Sequence, residues 1–439
     1  TLDRSSAASD VYKRQLFLRF ALLENACLSN VVQIIMNDSD IERIRGDFPI
    51  FSANPSLIYL DTAATSHKPQ CVIDSMVQFY KMEYATVHRA IYDLCAKATE
   101  KYCRVRRLVQ KWIGAKYASE IIFTKSTTEA LNLIANSFGA LMEPGDEIII
   151  SQMEHHSNFV PWQILARKRN LRIRYLSITD NGEIDLEELQ RLLSSRTRLI
   201  SIAHVTNNTG SINPIKEIIA LAHAVGAKVC LDGAQAVAHI AINVDELGVD
   251  FYAFSAHKMY GPNGIGILYA KLELLQKMPP YQSGGDMIET VTIDQTSFAL
   301  PPLKFEAGTP MIAQAMGLGQ AIEYLQSIGQ SKIHSYETEI TEYALEQIQK
   351  IPQVQLMGNS KNRGALISFF IKDVHMFDIA TILNSKGVAI RSGHLCSQPT
   401  LAHFGLTSVG RISFGIYTLR REIDQFLSHL EESIHILTA

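Results

Sequence analysis

The chain is poor in cysteine, with six among 439 residues, at positions 27, 71, 95, 103, 230 and 396. None forms a CxxC pair and none stands at Cys/His zinc spacing, so neither a disulfide framework nor a metal site is expected. A reducing compartment, the cytoplasm, is the expectation that follows. An excess of charge of one sign is missing too. Lysine and arginine number 41 against 44 acids, a formal charge of −3, which gives no electrostatic case for nucleic acid or an anionic membrane surface. No charge-free apolar run reaches the 18 or so residues of a spanning helix. Glycine and proline, 25 and 14, are too few for a collagen-like repeat, and 47% hydrophobic residues exclude a disordered chain.

What is present forms cores, and the length suits two or three domains. Residues 1–35 stand apart. The apolar run from Leu16 to Leu28 is broken by Arg19 and Glu24, which suits neither a signal peptide nor a transit peptide. Thr1 to Gln15 reads as an expression or assembly scar, with Met36 as the natural start. This extension is expected to be disordered or artefactual.

From Ile58 to Tyr269, short apolar runs alternate with helical periods. Glu120–Thr124, Asp146–Ser151, Arg198–Val205, Lys228–Asp232 and Asp250–Ser255 read as strands, and Thr128–Phe138, Asp185–Leu193 and Ile215–Val225 as helices between them. Near-continuous Ile, Val, Leu and Phe suits strands buried on both faces, hence an α/β fold with a mostly parallel sheet between helices. No G-x-G-x-x-G follows a strand, and Gly317-Leu318-Gly319 lies in a helical pattern and reads as packing. After Ile328 a long helix (Ser331–Ile351) precedes strands at Ala365–Ile371, Val388–Arg391 and Arg411–Tyr417 and a helix at Arg421–Leu437. The expected division is 36–57, a segment packed on the small domain; 58–328, the large domain; and 329–439, the small α/β domain.

The sharpest motif runs from Ser255 through His257-Lys258 to the glycine-rich Gly261–Gly266. A lysine at the end of a buried strand would have a depressed pKa, as a Schiff-base amine needs; the competing reading is a surface lysine near the ordinary ~10.4. Asp232, ending its own strand 26 residues earlier, can pair with a protonated ring nitrogen, although an aspartate also caps helices well. Ser126-Thr127-Thr128-Glu129 fits a capping box whose free N–H groups make a phosphate seat, with Ser255 and His257 as further donors. His155, in Glu154-His155-His156, suits stacking on a cofactor ring better than metal binding, since no third ligand follows; the competing reading is a surface histidine. Cys396 sits in a polar loop, Arg391-Ser392-Gly393-His394-Leu395-Cys396-Ser397-Gln398-Pro399, where Arg391 or His394 can favour the thiolate; the competing reading is an incidental loop cysteine. Cys230, inside an apolar run, reads as core. Arg411 can clamp a carboxylate or serve a structural ion pair.

From Met36 onward these residues resemble the fold-type I, class V pyridoxal-phosphate enzymes, specifically the SufS-type (group II) cysteine desulfurases. Tyr84–Arg89 (YATVHR), Ser151–Asn158 (SQMEHHSN), Asp232–Gln235, Ser255–Tyr269, Phe305–Pro310 (FEAGTP), Arg391–Cys396 and Arg411 carry the resemblance. It implies pyridoxal 5′-phosphate on Lys258, with Asp232 at the pyridine nitrogen, Gln235 at the phenolic oxygen and His155 on the ring. Thr127, Thr128, Ser255 and His257 then hold the phosphate, joined by Thr309 from the other subunit of a homodimer. Asn207 and Arg411, with Arg391, are implied to bind the substrate, L-cysteine, and Cys396 to take its sulfur as a persulfide. A SufE- or SufU-like acceptor in iron–sulfur cluster assembly is implied in turn. Two positions depart from the family: Ser126 replaces the usual glycine and is expected to narrow the phosphate turn, and Leu395 replaces a frequent histidine, making the thiol's surroundings less polar. The rival activity is selenocysteine lyase at the same site, which should depend less on Cys396.

Overall fold

The computed structural model describes residues 36–438; the expectations for residues 1–35 lie outside the described residues. A two-residue strand, β1 (Ile58–Tyr59), comes first. The central sheet takes β2 (Ile121–Thr124), β3 (Glu147–Ser151), β4 (Arg172–Leu176), β5 (Thr197–Ala203), β6 (Lys228–Asp232), β7 (Phe251–Ser255) and β8 (Gly266–Ala270), in the spatial order β2-β8-β7-β6-β5-β3-β4. Pairing is parallel from β4 through β7, and only β8 and β2 join antiparallel at one side. Ile148, Ile149 and Ile150 on β3 have no exposure, nor have Leu199 and Ile200 on β5 or Val229, Cys230 and Leu231 on β6. Burial of such a side chain is worth about 1.5–3 kcal/mol, so two-sided coverage fixes the strands firmly.

Strand order reverses at β3. From there the chain adds β4 on one side and β5, β6 and β7 on the other. In an open α/β sheet that switch point places a crevice at the carboxyl ends of the neighbouring strands. Two of the sheet's strands, β4 and β8, are absent from the strand reading above. β4 alternates charged and apolar residues (Arg172-Ile173-Arg174-Tyr175-Leu176) at an exposed edge, so it lacks the run of buried residues that marks the others.

An exposed hairpin, β9 (Ile288–Val291) and β10 (Thr296–Phe298), leads to the second region. There β11 (Val354–Leu356), β12 (Leu366–Ile371), β13 (Val388–Ala389), β14 (Arg391–Gly393) and β15 (Val409–Ser413) follow the helix Gln330–Ile348 and precede the helix Arg420–Thr438. β11, β12, β15 and β14 form an antiparallel sheet, while β13 pairs with β1. The strand expected at Val388–Arg391 is therefore two strands in two sheets. Arg411 also differs from expectation: it lies in the middle of β15, facing Ser368 on one side and Arg391 on the other, and the strand ends at Ser413. Segment 36–57 is tied to the C-terminal helix, where Arg45 meets Glu422 at 2.8 Å. Gly317 and Gly319 allow the helix Ile312–Ile328 to approach closely, since a Cβ on either would lie within 3.0 Å of Pro262 or Val105. Among the described residues no helix is long and apolar enough to cross a membrane.

Candidate active site

The crevice is a 310 Å³ cavity lined by Ala63, Thr127, Thr128, His155, Asn207, Asp232, Gln235, Ser255, His257, Lys258, Arg391, Cys396 and Arg411, among others. Every pocket residue read from the sequence is here except Thr309. That residue is exposed and borders a separate cleft beside Glu306, Gly308 and Tyr281.

Asp232 ends β6 and Lys258 closes the short helical turn Ala256–Lys258 that follows β7, its parallel neighbour. Burial lowers the Lys258 amine to about 8, against the opposing pull of the Asp232 charge. Asp232 is buried, accepts from the Ala234 N–H at 3.0 Å, and is itself raised by desolvation. Gln235 donates to the Ala63 carbonyl at 2.7 Å. His155 accepts from the Ser157 N–H at 3.1 Å through Nδ1, and burial together with the Lys258 charge lowers it to about 3, so its ring is neutral.

One wall is the start of the helix Thr127–Ser137, whose positive end favours an anion. The Ser255 hydroxyl accepts from the Thr127 N–H and bonds the Thr127 hydroxyl, both at 2.7 Å, and Thr128 bonds Ser157 at 2.8 Å. Ser126 caps the helix through the Glu129 N–H, but Glu129 answers to the Lys125 N–H, one residue before the cap. The capping box is thus offset by one. Ser126 has an extended backbone (φ −171), which any residue adopts, so serine is accommodated without strain where glycine was expected. The tight approach belongs to Gly266, where a Cβ would lie 2.6 Å from Ser126 backbone atoms.

The opposite wall carries Arg391 and Arg411. Arg411 donates to the Asn207 carbonyl at 2.8 Å and to Asp61 at 3.2 Å, and its buried Nε has no partner among the described residues. The Asn207 amide is engaged by the cysteine loop: it donates to the Leu395 carbonyl at 2.8 Å and accepts from the Ser397 hydroxyl at 3.1 Å. Leu395 is buried against Met357, Leu401 and Val409, so it anchors the loop by packing. Cys396 is partly exposed and shares the cavity wall with Lys258 and Arg411. Cys230 is core as read, its thiol raised by burial.

Sequence reasoning missed Asp61, Ser157 and Ser397. Asp61 follows β1, which is too short to show any periodicity, and Ser397 hides among the loop's other polar residues.

A lysine amine beside a buried aspartate, a helix end rich in hydroxyls and a guanidinium nitrogen without a partner among the described residues together suit a flat, phosphorylated, carbonyl-bearing group. Comparison with known proteins agrees in kind. Residues 58–426 match the model of the aminotransferase class-V family. The chain belongs to that family. Among curated relatives, the cysteine desulfurase of Dickeya dadantii (strain 3937) is 47% identical over 402 residues, covering 90% of this chain and 97% of that protein. The cysteine desulfurase of Serratia proteamaculans (strain 568) is 45% identical, covering 89% and 97%. Among solved structures, the cysteine desulfurase CsdA (S-sulfonic acid) from Escherichia coli has a TM-score of 0.85 at 33% identity, covering 92% of this chain and 99% of that one. The apo cysteine desulfurase from Thermococcus onnurineus NA1 has a TM-score of 0.86 at 36% identity, covering 89% and 97%.

Proposed function

We propose that this class-V aminotransferase is a SufS-type (group II) cysteine desulfurase, a pyridoxal 5′-phosphate-dependent sulfurtransferase that converts L-cysteine to L-alanine. The observation that carries this reading is the presence of Lys258, Asp232, Arg411 and Cys396 around one cavity, in a chain 47% identical to a cysteine desulfurase.

Lys258 would hold the cofactor through its amine, Asp232 would face the ring nitrogen, Gln235 the phenolic oxygen and His155 the ring face. Thr127, Thr128, Ser255 and His257 would take the phosphate, with Thr309 supplied by the second subunit of a homodimer. Bound pyridoxal phosphate supplies an electron sink that stabilises negative charge at the substrate α-carbon.

The chain's own residues do the rest. Arg411 and Asn207, with Arg391, bind and orient the substrate carboxylate. Lys258, lowered to about 8, moves protons at the substrate carbons near neutral pH. Cys396 Sγ takes the substrate sulfur: the Cβ–S bond breaks, an S–S bond forms, and L-cysteine plus the Cys396 thiol become L-alanine plus a Cys396 persulfide. The persulfide passes to a SufE- or SufU-like acceptor for iron–sulfur cluster assembly. Such chemistry needs a free thiol, which Cys396 has, and suits the reducing cytoplasm.

The test has two parts. Borohydride reduction of the yellow holoenzyme followed by peptide mass mapping should place the pyridoxyl group on Lys258; another lysine overturns the assignment. Cys396→Ala should retain cofactor yet lose several orders of magnitude in alanine release from L-cysteine. Undiminished release, with selenocysteine also turned over, would make the protein a lyase.

A further inference from the structure

His257 is read as a donor to the cofactor phosphate, and that role depends on which ring nitrogen carries the hydrogen. Burial, together with the Lys258 and Lys68 charges, lowers the imidazole to about 4, so near neutral pH the ring holds a single N–H. A phosphate dianion only accepts hydrogen bonds. The bare nitrogen of a neutral ring offers it none and repels it. The His257 ring lines the cavity; its Nδ1 lies 3.1 Å from the Thr65 hydroxyl, and its Nε2 has no hydrogen-bond partner among the described residues.

Thr65 stands between β1 and the helix Gln70–Gln78. Its hydroxyl has one proton and two acceptors within reach: Nδ1 of His257, and the His257 main-chain carbonyl, also at 3.1 Å. That carbonyl is supplied without it. It accepts from the Ser66 N–H at 3.0 Å, the Ser66 hydroxyl at 3.1 Å and the Lys68 ammonium at 3.3 Å. The Ser66 oxygen in turn accepts from the Tyr260 N–H at 2.7 Å, which leaves its own proton for the carbonyl. A carbonyl has two lone pairs, so a fourth donor adds little, whereas Nδ1 has no partner but Thr65 among the described residues. Lys68 also donates to the Thr65 oxygen at 3.4 Å, which strengthens that hydroxyl as a donor.

We propose that Thr65 is a positioning residue whose hydroxyl donates to Nδ1 of His257, which fixes the ring's hydrogen on Nε2 before the phosphate arrives. Ser66 and Lys68 serve the same end by saturating the carbonyl that would otherwise take the Thr65 proton. The proposal rests on the reading that His257 holds the phosphate of pyridoxal phosphate, and it adds the group that makes the ring a donor.

Nitrogen-15 NMR of the histidine-labelled full-length protein, before and after loading with pyridoxal phosphate, reads the tautomer directly, the His257 signals being assigned by their loss in His257→Gln. Before loading, the wild type should carry the hydrogen on Nε2. Thr65→Val, which keeps the shape and removes the hydroxyl, should show a mixture of tautomers, and Thr65→Ser should restore the single form. The preference for pyridoxal phosphate over pyridoxal in equilibrium dialysis should fall about fivefold in Thr65→Val, the factor for one neutral hydrogen bond, and recover in Thr65→Ser. A merely structural role would weaken both ligands alike. Should Thr65→Val fail to fold, the wild-type tautomer decides alone. Hydrogen on Nδ1 in the unloaded wild type, or the same tautomer in wild type and Thr65→Val, would overturn the proposal. Failure of the phosphate reading has a different signature: His257 signals that are the same with pyridoxal phosphate as with pyridoxal.

Discussion

Arg391 and Arg411 face each other across the antiparallel strands β14 and β15, two cations side by side on the wall of one cavity. Like charges directly opposite each other are unfavourable on a sheet. Asp61 offsets them, pairing with Arg411 at 3.2 Å, and the Arg391 charge also acts on its carboxyl. The site is thus built to be cationic yet partly neutralised, and Asp61 competes with any substrate carboxylate for Arg411.

Asp61→Asn keeps the side-chain shape and removes one negative charge. KM for L-cysteine should fall, on the order of fivefold, with a smaller change in kcat, because a partly buried charge contact is worth about 1 kcal/mol. Steady-state kinetics at constant ionic strength test this. A raised KM would show that Asp61 orients Arg411 more than it competes.

The lowered Lys258 amine gives a pH prediction for protein stripped of cofactor. A lysine titrating near about 8 becomes a neutral nucleophile as pH climbs through that value, whereas ordinary lysines wait until ~10.4. Acetylation of Lys258, followed by mass, should rise with a midpoint near about 8. In Asp232→Asn the midpoint should move lower, since the Asp232 charge is what holds the amine up against burial. A midpoint shared with surface lysines would refute the burial argument.

Gly266→Ala should damage the phosphate seat without touching any group that would contact the phosphate. The new Cβ would lie 2.6 Å from Ser126 backbone atoms, so the turn or the strand must shift. Forcing an extra carbon into packed structure costs about 1–3 kcal/mol. The thermal midpoint should drop, and equilibrium dialysis should show weaker retention of pyridoxal phosphate. Unchanged retention would mean that the turn yields freely.

Glu154, the residue before His155, is buried, bonded by Ser151 at 2.5 Å and by Asn158 at 2.6 Å, and burial raises its carboxyl to about 8. The folded state therefore keeps a proton that the unfolded chain releases near ~4.3. Between those values folding takes up a proton, so this group's contribution to stability falls as pH rises toward 8. Glu154→Gln, which has no proton to lose, should flatten the decline of the thermal midpoint between pH 5 and 8. Parallel declines in both proteins would place the titration elsewhere.

Much of this protein was legible in its sequence. Runs such as Ile148–Ile150 and Val229–Leu231 mark strands buried on both faces, because only that environment tolerates unbroken branched apolar residues. Asp232 and Lys258 stand at the ends of two such runs, so their convergence follows from parallel pairing alone. Ser126 with Glu129 marks the helix start, since the cap is a local hydrogen bond. The tertiary structure alone decided the rest. Strand β4, at the sheet edge, has no buried run to reveal it. Asp61 meets Arg411 across 350 residues, and Asn207 meets Leu395 across 188, contacts to which no local period points. Leu395 read as a change in the polarity around the thiol; its side chain packs into a small apolar cluster and anchors the loop. The central sheet follows from spacing and burial, which act along the chain, whereas the cysteine loop and the carboxylate-binding wall depend on contacts between distant segments, which only the folded chain specifies.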